Sequence, residues 1–103
     1  MKTVFAALLA VLFTGSAWAD DKVTLMLNWY VYGEHAPFYY GKEKGYFKDS
    51  GIDLEIQEGR GSGTVTQVVA AKTVQLGYVD VPTMMRAAVK GAPVQAVGIH
   101  GLG

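Results

Sequence analysis

Cysteine is absent from the 103-residue sequence, which excludes a disulfide framework, a thiolate nucleophile and a cysteine zinc site. Histidine is scarce, and His35 and His100 are too far apart in the chain to suggest a metal set. Charged residues make up only 17%, nine basic against nine acidic, so composition offers no broad attraction for nucleic acid or an anionic membrane. No nucleic-acid partner, metal or cofactor is expected. Half of the residues are hydrophobic, which suits one ordinary globular domain and leaves no room for a second.

The longest apolar run, Val4 to Phe13, is well short of the roughly 20 residues that span a bilayer. Met1 and Lys2 precede it, and Gly15, Ser16 and then Ala17-Trp18-Ala19 follow. That order, a cation, an apolar stretch and small residues at A-x-A, is the order of a cleaved secretory signal peptide. Residues 1–19 are therefore expected to be an export signal cut after Ala19. The remaining residues, 20–103, make a small unit that buries only about 60 to 65% of its unfolded surface. Such a unit is marginal without disulfides or metal, so it needs a partner surface or belongs to something longer.

Beyond Ala19, apolar periodicity alternates with turn residues. Lys22 to Trp29 reads as a first strand buried on both faces, around Val23, Leu25 and Leu27. A loop, Tyr30 to Glu34, leads to a helix over His35 to Phe47, with Pro37 tolerated in its first turn. Asp53 to Gln57 alternates as a second strand with one wetter face, placing it near a sheet edge. After the loop Glu58 to Gly63, Thr64 to Lys72 predicts a helix, with Thr64 and Gln67 spaced for a capping box. Gln75 to Val79 is a short third strand, Asp80 caps a helix running to Lys90, and Gly91 stops it. Val94 to Ile99 predicts a fourth strand. The order strand, helix, strand, helix, strand, helix, strand predicts an α/β fold, a mainly parallel sheet with flanking helices.

Small molecules bind such sheets beyond the carboxyl ends of the strands. Three loops qualify: 28–35, 58–63 and 79–82. The Gly59-Arg60-Gly61-Ser62-Gly63-Thr64 loop sets free amides and hydroxyls ahead of a helix, which favours an anionic or hydrogen-bond-accepting group. It fits neither the Walker pattern nor G-x-G-x-x-G, and an ordinary strand-to-helix turn is the competing reading. Asn28, Trp29, Tyr30 and Tyr32 place a carboxamide beside aromatic faces, which suits either a stacked planar heterocycle or an aromatic core plug. His35 either orients a ligand or caps and packs at its helix start. Asp80 either accepts a hydrogen bond from a ligand or serves only as a cap. The aromatic residues Phe38, Tyr39, Tyr40, Tyr46 and Phe47 read as core and rim. No Ser-His-Asp arrangement and no paired acid and base emerge, so an enzyme is not expected.

Leu27-Asn28-Trp29, then His35-Ala36-Pro37-Phe38-Tyr39-Tyr40-Gly41-Lys42-Glu43-Lys44-Gly45-Tyr46-Phe47 and Gly51-Ile52-Asp53-Leu54-Glu55-Ile56, resemble the N-terminal lobe of a known family. These are the periplasmic solute-binding proteins of ABC importers for nitrate, sulfonate, taurine and thiamine-pyrimidine precursors. Gly61-Ser62-Gly63, Gly77-Tyr78-Val79-Asp80 and Lys90-Gly91-Ala92-Pro93-Val94 fall in the later motifs of that family. The resemblance implies the incomplete first lobe of a two-lobed type II periplasmic binding protein, spanning 20–103. It implies a monomer working with a membrane permease on a small solute, by lobe closure without chemistry. It also implies that Asn28 and Trp29 hold and stack a ring and that Gly61, Ser62 and Gly63 bind an acidic or polar group, with Asp80 a secondary correspondence; His35 joins the candidate ligand contacts from its own place at the helix start. The Asn28-Trp29 pair is closer to the pyrimidine-precursor branch than to the sulfonate branch. The alternative is an enzyme related to the fungal pyrimidine-precursor synthases, which carry a cysteine-rich motif and work inside the cell. A single lobe is expected to bind weakly, because affinity needs burial from both sides.

Overall fold

A computed structural model describes residues 20–100; the expected export signal, 1–19, lies outside the described residues. Three strands, β1 (Asp21–Met26), β2 (Ile52–Gln57) and β3 (Leu76–Gly77), form one parallel sheet in the order β2-β1-β3. Four α-helices flank it: α1 (Ala36–Glu43), α2 (Tyr46–Asp49), α3 (Ser62–Ala70) and α4 (Val81–Val89). A 3-10 turn at Gly33–His35 leads into α1. The expected α/β architecture is thus present.

Alternation along β1 sets the core. Leu25 and Leu27 are buried together with Leu54 of β2, and Val23, Phe38, Phe47, Ile52, Ile56 and Tyr78 pack against them. Leu27 is wholly inaccessible, a burial worth about 2 kcal/mol. On the opposite face Thr24 and Met26 are only half-buried, so β1 is less covered there than its composition predicts. Asp53 and Glu55 of β2 are exposed while Leu54 is buried, as an edge strand requires.

Several boundaries differ from expectation for local reasons. The helix expected over His35 to Phe47 is broken, because Gly45 takes φ 80 and ends one helix while opening another. β1 stops at Met26 rather than Trp29, although Leu27 N–H still reaches Gln57 O at 2.7 Å. β3 is two residues rather than five, and ahead of it Gln75 Oε1 accepts from Thr24 N–H at 2.7 Å, taking the place of a ladder carbonyl. The Thr64 capping box does not form: α3 starts two residues earlier, with Gly61 as its uncapped N-cap. At its other end Lys72, in the left-handed region at φ 63, turns the chain out of the helix. Asp80 does cap α4, and Gly91 follows its end at φ 101.

The fourth strand expected at Val94 to Ile99 is not formed. With only Leu76 and Gly77 laddered, β3 offers little edge to pair with, and Val97 and Ile99 stay largely exposed. The segment instead runs along a cavity of about 810 Å³ that Leu25, Phe38, Phe47, Leu54 and Val69 also line. Among the described residues no helix is long and apolar enough to cross a membrane.

Candidate functional site

Parallel pairing puts the ends of all three strands at one edge of the sheet, and the three loops identified in the sequence leave from there. Hydrogen bonds tie them to one another. Gly61 N–H donates to Asn28 O at 2.6 Å, joining the first loop to the second. Asp80 N–H donates to Ser62 Oγ at 3.0 Å, joining the third to the second. Gly59 permits this close approach: a Cβ there would lie 2.0 Å from Leu27 O and 2.6 Å from Val65 Cγ2. Gly59 is therefore fixed by packing, whatever the loop binds.

The first loop carries the aromatic groups. Trp29 meets Tyr30 edge to face at 5.3 Å, and both rings are about half exposed. The Arg60 guanidinium lies 4.1 Å from the centre of the Tyr30 ring, while its Nη1 donates to Gly59 O at 2.8 Å. Val31 N–H donates to Glu58 Oε2 at 2.7 Å, a second clasp between first and second loops. Neither ring is a core plug: both stay about half exposed on a backbone tied to the second loop, with the Arg60 guanidinium against a face of Tyr30.

Behind these rings stands a polar cluster. Asn28 is half-buried, and its Oδ1 lies 2.7 Å from His35 Nε2; its Nδ2 donates to Tyr32 Oη at 3.4 Å. The Tyr32 hydroxyl donates to Glu34 Oε2 at 2.6 Å. His35 is completely buried, packed edge-on against Tyr32 and Tyr78, so it underlies the site rather than lining it. Burial pushes its proton affinity below the ordinary imidazole range, against the opposing pull of Glu34 and Glu58. The Tyr32 hydroxyl holds the Glu34 carboxyl below its usual range, and burial followed by the Glu34 charge raises Tyr78.

Asp80 Oδ2 accepts from both Thr83 N–H at 3.0 Å and Thr83 Oγ1 at 2.7 Å. Those bonds, with one from Ser62, lower its carboxyl below the usual range. Its capping role is secure. Ser62 and Gly63 lie in the first turn of α3, where backbone amides lack carbonyl partners within the helix. Gly61, by contrast, has its amide engaged by Asn28. All seven residues selected from the sequence, Asn28, Trp29, His35, Gly61, Ser62, Gly63 and Asp80, thus fall in one loop cluster. Glu58, Arg60 and Thr83 were not selected; as single polar residues in loops or a helix start they carry no periodicity or motif that marks them. Among the described residues no group of three side chains could hold a metal ion.

A family model described as NMT1/THI5 like matches residues 33–100. That stretch takes in His35, Gly61, Ser62, Gly63 and Asp80 and begins just after the Asn28-Trp29 pair. Among curated proteins, the chain is 31% identical over 80 residues to a 4-amino-5-hydroxymethyl-2-methylpyrimidine phosphate synthase of Aspergillus parasiticus, covering 78% of this chain and 23% of that protein. It is 35% identical over 80 residues to the synthase of the same name in Candida albicans, covering 78% of this chain and 24% of that one. A Haemophilus influenzae protein whose name assigns it to thiamine biosynthesis is 29% identical over 101 residues, covering 95% of this chain and 32% of that protein. The chain therefore spans less than a third of the length of these relatives. With two thirds of its residues under the family model, the second and third loops of the cluster among them, the chain belongs to the NMT1/THI5-like family.

Proposed function

We propose that these residues form the first lobe of a periplasmic solute-binding protein that passes a small heteroaromatic solute, of the thiamine-pyrimidine class, to the permease of an ABC importer. The observation that carries this reading is the joining of three strand-end loops by the Gly61–Asn28 and Asp80–Ser62 hydrogen bonds. Trp29 and Tyr30 supply faces for a planar ring, the Asn28 carboxamide supplies paired hydrogen bonding, and the first turn of α3 supplies donors for a polar substituent. The pyrimidine in the names of the relatives favours this class over a sulfonate or nitrate. Capture proceeds by closure of a second lobe over these loops, with no covalent step. Export by residues 1–19 and a monomeric state belong to the same reading.

The second reading is a pyrimidine phosphate synthase, and the names of the relatives favour it. One feature weighs against it here: both ring nitrogens of buried His35 are engaged within the protein, so the imidazole is not free to act on a substrate. Calorimetry on the complete gene product with 4-amino-5-hydroxymethyl-2-methylpyrimidine, taurine and nitrate separates the readings when the bound material is recovered for mass spectrometry. Binding of the pyrimidine alone, recovered unchanged, is the expected result. A pyrimidine phosphate released from the gene product as isolated, before any solute is added, would favour the synthase instead.

A further inference from the structure

We propose that His35 is a positioning residue, a neutral imidazole that clamps the Asn28 carboxamide in a single orientation; its use to a ligand rests on Asn28 being the contact assigned above. The orientation follows from one bond that cannot be reversed. Tyr32 N–H donates to His35 Nδ1 at 3.2 Å, so Nδ1 carries no proton. A neutral imidazole must then carry its proton on Nε2. Nε2 lies 2.7 Å from the Asn28 side chain, and the atom it meets there must accept, which makes that atom Oδ1. Nδ2 consequently points to Tyr32 Oη at 3.4 Å, and that oxygen can accept because its own proton goes to Glu34 at 2.6 Å.

Four hydrogen bonds thus run in one direction, from a backbone amide to a carboxylate. A flipped carboxamide would set an N–H2 against Nε2–H and leave two donors facing one another beside the buried His35 ring, which is costly. Asn28 retains one N–H and one oxygen lone pair for a ligand. Protonating His35 would put a hydrogen on Nδ1 against Tyr32 N–H and break the first bond of the series. The groups around the ring come from every side: Glu34 on its own turn, Glu58 on the second loop, Tyr32, and Tyr78 after β3 with His100 behind it. The two carboxylates favour the charged ring, but burial outweighs them and lowers its proton affinity.

The test is nitrogen NMR of the complete gene product across pH, following the His35 ring, the Asn28 side-chain amide and the Tyr32 backbone amide. It is paired with calorimetry of 4-amino-5-hydroxymethyl-2-methylpyrimidine on the wild type, His35→Gln and His35→Leu. The expected result is an Nε2–H tautomer whose titration moves the Asn28 and Tyr32 signals together. His35→Gln keeps a donor near Asn28 and binds much as the wild type does, whereas His35→Leu loses about tenfold in affinity. An Nδ1–H tautomer, or Asn28 signals that ignore the His35 titration, would overturn the clamp, as would a folded His35→Leu protein with unchanged affinity. If His35→Leu does not fold, the wild-type titration and His35→Gln decide the matter. A wild type with the expected tautomer and coupling but no pyrimidine binding upholds the clamp and overturns the ligand assignment.

Discussion

Among the described residues, two regions outside helix and strand differ sharply. The loops at the carboxyl edge of the sheet are held to one another by backbone and side-chain hydrogen bonds, over a floor of Leu27, His35 and Val65, all fully buried. The stretch after α4 has its backbone bonds near its start, among them Ala92 N–H to Ala87 O at 3.0 Å and Val94 N–H to Ala92 O at 2.9 Å, and beyond them it borders a cavity of about 810 Å³ with Val97 and Ile99 largely in solvent, His100 Nε2 lying 3.1 Å from Glu34 O at its far end. Absence of helix or strand therefore says little about order. What separates the two is whether polar groups find partners and apolar groups find cover.

Substitution should expose that contrast. Gly59→Val has the largest expected effect, because its side chain must enter space held by Leu27 O and Val65; a loss of about 3 kcal/mol or outright unfolding should appear in denaturant titration. Leu27→Ala, at the same end, should cost about 3 kcal/mol by the same measurement. Asp80→Ala removes the cap of α4 and should cost about 1 kcal/mol. Val97→Ser, on the open stretch, should change stability by less than about 0.5 kcal/mol. A large loss at Val97 would mean that the final segment is packed after all.

Acid should act on the ordered end in two windows. Because folding lowers the proton affinity of His35, the unfolded chain takes up that proton first. Its contribution is full above the ordinary imidazole value of about 6.5 and declines as the pH falls toward the lower folded value. Asp80 is lowered too, so its contribution holds above the ordinary carboxylate value and is lost as the pH falls through its lower folded one. Acid melts of His35→Gln should lack the upper window, and those of Asp80→Ala should show a weaker lower one, to which Glu34, also held below its usual range, still contributes.

Much of this arrangement was legible in the sequence where a residue type has few roles. Alternation at Val23, Leu25 and Leu27, the Asp80 cap and the edge character of β2 follow from patterns that the fold keeps. The fourth strand misled because Val94 to Ile99 has strand-like composition, while pairing depends on a neighbouring edge that a two-residue β3 does not supply. The capping box at Thr64 failed because Gly61 is pinned to Asn28, a contact across 33 positions that no local pattern encodes. The role of His35 was hidden for the same reason: a histidine at a helix start reads alike whether it faces solvent or lies beneath a site.

The most direct test of the central claim, that the tied loops form the binding surface, is an amide-shift map of the complete gene product titrated with 4-amino-5-hydroxymethyl-2-methylpyrimidine. Among the residues described, shifts should concentrate at 28–35, 59–63 and 78–83, with the Trp29 indole and Asn28 side-chain signals moving most. Shifts confined to 93–100 and the cavity beside it would contradict the account.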